Sequence, residues 1–123
     1  MSKIGLVTGG GDSPGINAAI RAVVREGRDN GYEIIGFKNG WAGVIDEDWE
    51  ELNREDVSGI LPLGGTILGS SRTNPFSQEE GGDRIKEIYE KNDLSSIIVI
   101  GGDDTLGVAH KLKDYGINIQ GLS

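Results

Sequence analysis

Lys3-Ile4-Gly5-Leu6-Val7-Thr8-Gly9-Gly10-Gly11-Asp12-Ser13-Pro14-Gly15-Ile16-Asn17 runs from an apolar stretch, through a glycine break, into a helix start. Lys3 to Thr8 is β-branched and aliphatic and reads as a buried strand. Gly9 to Asp12 end it. Ser13 suits an N-cap and Pro14 the first helical position. From there Ile16, Ile20, Val23 and Val24 recur at helical spacing to about Asn30, and Gly31 stands as a C-cap. Strand, glycine turn and helix together are the opening unit of an α/β sheet.

The rest of the chain repeats the alternation. Tyr32 to Phe37 reads as a second strand, closed by Asn39-Gly40. Ala42 to Leu63 has a weaker pattern: an acidic stretch from Asp46 to Glu51, expected as a solvated face, then a short helix from Asn53 or Arg54 to Ile60. Gly64 to Pro75 is a loop of small and polar residues. A helix is predicted over Gln78 to Lys91, with Ile85, Ile88 and Tyr89 inward. Ser96 to Ile100 is the clearest strand. Gly101-Gly102-Asp103-Asp104-Thr105 breaks it, a helix follows from about Asp104 to Tyr115, and Ile117 to Leu122 is a last strand. Strands alternating with helices over short turns predict that residues 1–123 are one Rossmann-like α/β domain or a piece of one, a parallel sheet flanked by helices in three αβα layers. Its crossovers are right-handed, so the glycine breaks after the first and third strands open at the carboxyl end of the sheet.

Composition narrows the functional classes. The 123 residues are 36% hydrophobic and 26% charged, an ordinary globular balance. No apolar run approaches the ~20 residues of a membrane span, and the segment before Ile4 is too short for a secretory signal. With no cysteine, disulfides, thiolate zinc sites and cysteine nucleophiles are excluded; a cytoplasmic location and no membrane partner are expected. A net charge of −8 argues against nucleic acid, whose nonspecific binding needs many cations. Glycine is the outlying figure, 21 residues where a typical chain of this length has about 9.

Three glycine loops offer a use for them. In Gly9 to Gly15, glycines let the backbone approach a ligand, and the helix N-terminus behind them attracts negative charge. Ile16-Asn17 stands where a P-loop needs Lys-Ser/Thr, and Pro14 replaces the third glycine of G-x-G-x-x-G, so the loop matches neither motif. A tight turn with glycines for geometry alone is the alternative. In Gly101 to Thr105, Gly102 and the helix start can hold phosphate oxygens while Asp103 and Asp104 repel them, a pairing that makes sense with a bridging hard cation. Helix capping by one aspartate is the plainer reading. In the third loop Arg72 follows Gly64, Gly65, Thr66, Gly69, Ser70 and Ser71, where it can offset the charge of a transferring phosphoryl group or simply be solvated. Trp41 can stack on a planar ligand or cover a core edge, and His110 is expected to be exposed.

Val7 to Ala18 resembles the opening T-x-G-G-D-x-P-G-x-N loop of phosphofructokinases, Gly64 to Arg72 their G-G-T-x-L-G-S-x-R segment, and Gly101 to Thr105 their G-G-D loop. The resemblance covers essentially the whole chain. It implies the phosphofructokinase fold and phosphoryl transfer in glycolysis to the 1-hydroxyl of fructose 6-phosphate with Mg²⁺. By motif, Gly10, Gly11, Gly102 and Thr105 would lie against the donor phosphates, Asp103 would serve the magnesium, and Arg72 would steady the transferring group as the catalytic residue. Trp41 would lie against a nucleotide base. Asp104 points to pyrophosphate ahead of ATP, because ATP-using members carry glycine there and a carboxylate would occupy and repel the α-phosphate.

The resemblance also implies a catalytic aspartate in a T-I-D-N-D run that would follow Ser123. The sugar-phosphate residues are expected in a C-terminal half that is likewise outside this sequence. The chain alone is therefore expected to keep a donor phosphate and Mg²⁺ half-site without kinase activity. Two other readings fit less of it: an NAD- or lipid-kinase-like enzyme explains only Gly101 to Thr105, and a noncatalytic anion-binding module describes behaviour rather than ancestry. The resemblance implies dimers or tetramers, but most of that contact surface is expected outside this sequence, and uncovered apolar surface can instead drive a homo-oligomer unlike the family's.

Overall fold

In the computed structural model, which describes residues 2–9, 15–60, 67–71, 73–77 and 80–122, period-2 and period-3.6 patterns resolve into five strands and five helices. β1 (Lys3–Thr8) leads to α1 (Ile16–Asp29) and β2 (Glu33–Phe37); α2 (Trp41–Asp46), β3 (Trp49–Glu51) and α3 (Arg54–Val57) follow. After a 3₁₀ turn at Pro75–Ser77 come α4 (Gly81–Lys91), β4 (Leu94–Ile100), α5 (Asp103–Leu112) and β5 (Ile119–Leu122). The sheet order is β3-β2-β1-β4-β5. β1 pairs in parallel with both β2 and β4, and β4 with β5.

Alternation along each strand sends side chains to two cores. Ile4 and Leu6 of β1, Ile34 of β2 and Ile100 of β4 pack with Ile16, Ile20 and Val24 of α1. Val7, Ile35, Phe37, Ile97 and Val99 face the other way, against Val44 of α2, Ile85 and Ile88 of α4, and Val108 and Leu112 of α5. The three αβα layers are as the alternation predicts.

Two elements depart from the sequence reading. β3 runs antiparallel to β2, with Ile35, Gly36 and Phe37 opposite Glu51, Glu50 and Trp49, so the sheet is parallel except at this edge. Trp49–Glu51, the end of the stretch read as a solvated acidic face, is thus an edge strand. Its carboxylates do point to solvent, but Glu50 pairs with Lys38 and Glu51 with Arg28, each at 3.1 Å. Three residues are too few to show a period, and backbone pairing decides their conformation. The second departure is α2, in place of an expected loop around Trp41. α3 is shorter than expected, and its Asn53–Asp56 capping box is formed, with Asn53 N donating to Asp56 Oδ2 at 2.7 Å. The expected cap at Ser13-Pro14 lies outside the described residues.

Glu47, in the left-handed region at φ 56°, links α2 to α4. Lys91 Nζ donates to its carboxylate at 2.8 Å and Asn92 Nδ2 at 3.2 Å. These two bonds, Lys91 first, hold the Glu47 carboxyl below its ordinary value of 4.5. A depressed folded-state pKa gives stability that is present above pH 4.5 and lost as pH falls through and below it. Urea midpoints measured from pH 6 down to pH 3 should therefore fall less steeply in Glu47→Gln than in the parent; equal slopes would show that these bonds contribute nothing to acid sensitivity.

Candidate functional site

The site begins at the centre of the sheet. The chain leaves β1 for α1 on one face and leaves β4 for α5 on the other, so the adjacent carboxyl ends of β1 and β4 form the point where the winding reverses. Gly9 N donates to Ile100 O at 2.9 Å and extends the β1–β4 ladder into the two turns. There the backbones meet. A Cβ on Gly101 would lie 2.7 Å from Gly9 O, and a Cβ on Gly9 would collide with Thr105 Oγ1. Thr105, read as a phosphate contact, is buried and doubles as the side chain against which the first turn is packed.

The third loop reaches the same end of the sheet through polar residues. Thr8 Oγ1 donates to Gly69 O at 3.0 Å, and Ser71 Oγ to Asn39 O at 2.7 Å. Asn39 N donates to Leu68 O at 2.8 Å, and Ile67 N to Asn17 Oδ1 at 2.9 Å. Thr8 and Asn17 are fully buried, as strand and helix side chains that hold a loop from beneath must be. Gly40, at φ 63°, turns the chain under Thr8 O and starts α2 at Trp41. The described residues of all three glycine loops thus meet at the end of β1.

Between the third loop and α5 lies a cleft of about 910 Å³. One wall is Trp41 with Ser70, Ser71, Thr73 and Asn74; the other is α5, through Asp103, Asp104, Thr105, Gly107, Val108 and Lys111. Gly102 caps α5, and Asp103 and Asp104 occupy its first turn, exposed, where carboxylates suit the positive end of a helix. Asp104, Gly107, Val108 and Lys111 follow at i, i+3, i+4 and i+7, one stripe along the helix. A second cavity of about 380 Å³, between α1 and the sheet, is lined chiefly by apolar groups including Ile4, Val23 and Ile98. Convergent polar groups distinguish the larger cleft as the candidate site.

Of the residues singled out from sequence, Asp103, Asp104 and Thr105 line the cleft together with Trp41, and Gly102 caps the helix that carries the first three. Trp41 follows the core-edge reading rather than the stacking one, although it starts α2 instead of standing in a loop. Its ring is 3% exposed and packed in the core with Phe37, Val44 and Val108, so its face is not free to stack on a base. Gly10, Gly11 and Arg72 lie outside the described residues. His110 is exposed, as read. Sequence reasoning missed Lys111, although helical spacing from Asp104 marks it, and missed Asn39 and Ser71, whose bonds to a distant loop leave no local signal.

The contact between turns yields a test. Gly9→Ala should lower stability by about 1–3 kcal/mol through overpacking against Thr105. Adding Thr105→Ala, which removes the colliding atoms, should recover part of that loss in urea titrations; strict additivity would show that the turns tolerate separation.

Comparison with known proteins places this arrangement. The family model described as Phosphofructokinase matches residues 3–123. A pyrophosphate–fructose 6-phosphate 1-phosphotransferase from Amycolatopsis methanolica is 51% identical over 121 residues, 98% of this chain and 36% of that protein. An ATP-dependent 6-phosphofructokinase from Thermotoga neapolitana is 45% identical over 123 residues, 99% of this chain and 39% of that protein. The solved phosphofructokinase of Saccharomyces cerevisiae superposes with a TM-score of 0.86 at 31% identity, over 99% of this chain and 20% of that one. The chain therefore spans little more than a third of the length of the curated relatives it matches.

Proposed function

Because the chain belongs to the phosphofructokinase family, we propose that its three loops hold the phosphoryl donor, pyrophosphate ahead of ATP, for transfer to the 1-hydroxyl of fructose 6-phosphate. The observation that carries this reading is the meeting of the Gly9 and Gly101 turns against Thr105, which with Asp103 and Asp104 lines the cleft. Glycines that bring two backbones together at a sheet switch point, beside a helix N-terminus, leave amide groups at the place where such folds take phosphates.

Each residue then has a part. Gly10, Gly11 and Gly102 offer backbone to the donor phosphates, with Thr105 against them. Arg72 offsets charge on the group in transit, a role resting on its motif. Asp103 is the proposed ligand of Mg²⁺, and the donor set fits that ion. Two exposed carboxylates face the cleft without a cation partner among the described residues, and no third acidic or histidine ligand joins them there. Magnesium is commonly held by one or two carboxylates plus substrate phosphates and water rather than by an all-protein cage. When bound it would neutralise and bridge the donor oxygens.

Asp104 argues for pyrophosphate. Its carboxylate lies on the cleft stripe one turn before Gly107, and by the family's motif it stands where the α-phosphate of a nucleotide would lie. Repulsion there disfavours a third phosphate and leaves a pyrophosphate unaffected. The names of the relatives support this order: the 51%-identical protein is pyrophosphate-dependent and the 45%-identical one ATP-dependent.

Calorimetric titration with pyrophosphate and with ATP, each with Mg²⁺, tests the reading. Pyrophosphate should bind tighter. Asp103→Asn should weaken it by tenfold or more, and Asp104→Gly should shift the preference toward ATP. Tighter ATP binding by the parent would reverse the donor assignment, and binding of neither would remove the donor site itself.

A further inference from the structure

Asparagine followed by glycine occurs twice in the chain, at Asn30-Gly31 and Asn39-Gly40. The fold treats the two pairs differently. Asn30 ends α1 with both groups that could react engaged: its Nδ2 donates to Glu26 O at 2.7 Å, and the Gly31 N–H donates to Arg28 O at 3.1 Å. Asn39 is held by other atoms. Its backbone N donates to Leu68 O at 2.8 Å, and its backbone O accepts from Ser71 Oγ at 2.7 Å. Its side-chain amide and the Gly40 N–H have no hydrogen-bond partner among the described residues. Asn39 is exposed, and Gly40 is buried.

We propose that Asn39 is a covalent modification site: it deamidates through a cyclic imide with Gly40 and yields isoaspartate, whereas Asn30 is protected. The Gly40 nitrogen loses its proton and attacks Asn39 Cγ. The N–Cγ bond forms, the Cγ–Nδ2 bond breaks, and Nδ2 departs as ammonia with that proton. Water then opens the imide ring. Opening at Cγ leaves aspartate; opening at the main-chain carbonyl leaves isoaspartate, with the chain running on through Cβ and Cγ. Nothing is oxidised or reduced, and water is the only co-reactant. Glycine suits the attack because no β-carbon shields its nitrogen.

Hydrogen bonding decides between the two pairs. At Asn30 the attack must first break a bond at each reacting group; at Asn39 it breaks none. Burial of Gly40 limits the access of water to its N–H. A buried amide without an acceptor is itself costly, however, so a turn that opens to hydrate it gives up no bond at that group. The consequence falls on the backbone. Isoaspartate adds a main-chain carbon between the N and the C=O that tie Asn39 to Leu68 and Ser71, so the two cannot both reach their partners. Aspartate changes only the side chain and keeps both bonds.

The test incubates the folded chain in mildly alkaline buffer and follows both asparagines by peptide mapping, with isoaspartate scored by methylation with an isoaspartyl O-methyltransferase. Asn39 should convert about tenfold faster than Asn30, which corresponds to about 1.4 kcal/mol retained by the bonds at Asn30. In concentrated urea, where neither pair keeps its bonds, the two rates should approach each other. Faster loss of Asn30, equal rates in the folded chain, or two intact asparagines after the urea-treated chain has fully converted would each overturn the assignment. The purified isoaspartyl form should then show a lower urea midpoint than the parent, while Asn39→Asp should match the parent. Equal midpoints for the isoaspartyl form and the parent would show that both backbone bonds survive, and would overturn the stated consequence.

Discussion

Everything at the cleft depends on one contact, the approach of the Gly9 and Gly101 backbones with Thr105 behind them. It exists because β1 is the central strand and its parallel neighbours on either side are entered from opposite faces of the sheet. Two turns that part to opposite faces leave a gap, and only residues without side chains let the gap close to van der Waals distance while keeping amides exposed. The Gly9–Ile100 hydrogen bond then fixes the turns relative to each other. α5 can start at the rim with its first carboxylates facing outward only because Thr105 anchors its first turn inward.

Polar burial extends this logic to the third loop. Thr8 and Asn17 are buried polar side chains, and each accounts for itself by holding a segment about fifty or sixty residues away. Buried hydroxyl and amide groups left unpaired would be costly, so the loop's backbone and the two side chains stabilise one another. The cleft wall is in this sense continuous with the core. Trp41 belongs to both, lining the cleft while its ring packs in the core.

Most of the fold was legible because α/β architecture writes itself in periodicity. The four strands predicted were found, and α1, α4 and α5 lie where apolar spacing put them, as do the glycine stops. What escaped was short or nonlocal. β3 has three residues, two of them glutamates, and its pairing is a property of β2's free edge. α2 has six, starting at a glycine turn whose φ no spacing rule reveals. At the site, Asp103, Asp104 and Thr105 announced themselves by following a double glycine. Lys111 could have been found from helical spacing. Asn39 and Ser71 could not, since their partners are set by tertiary structure. Trp41 left two readings open in the sequence, stacking or covering a core edge, and only packing shows its ring taken up by the core.

The register of β1 also bears on the order in which the molecule can assemble. β1 meets β2 after an ordinary helical crossover, but its pairing with β4 joins Thr8 to Ile100, about ninety positions along the chain. Closing so long a loop is entropically slow relative to the local unit. A half-sheet of β1, α1 and β2 is therefore free to form while the polypeptide is still emerging, with the carboxyl end of β1 exposed and its glycine turn unopposed. The cleft has no precursor in that half-sheet. Its walls come together only where β4 pairs with β1 and carries the head of α5 to the end of β1.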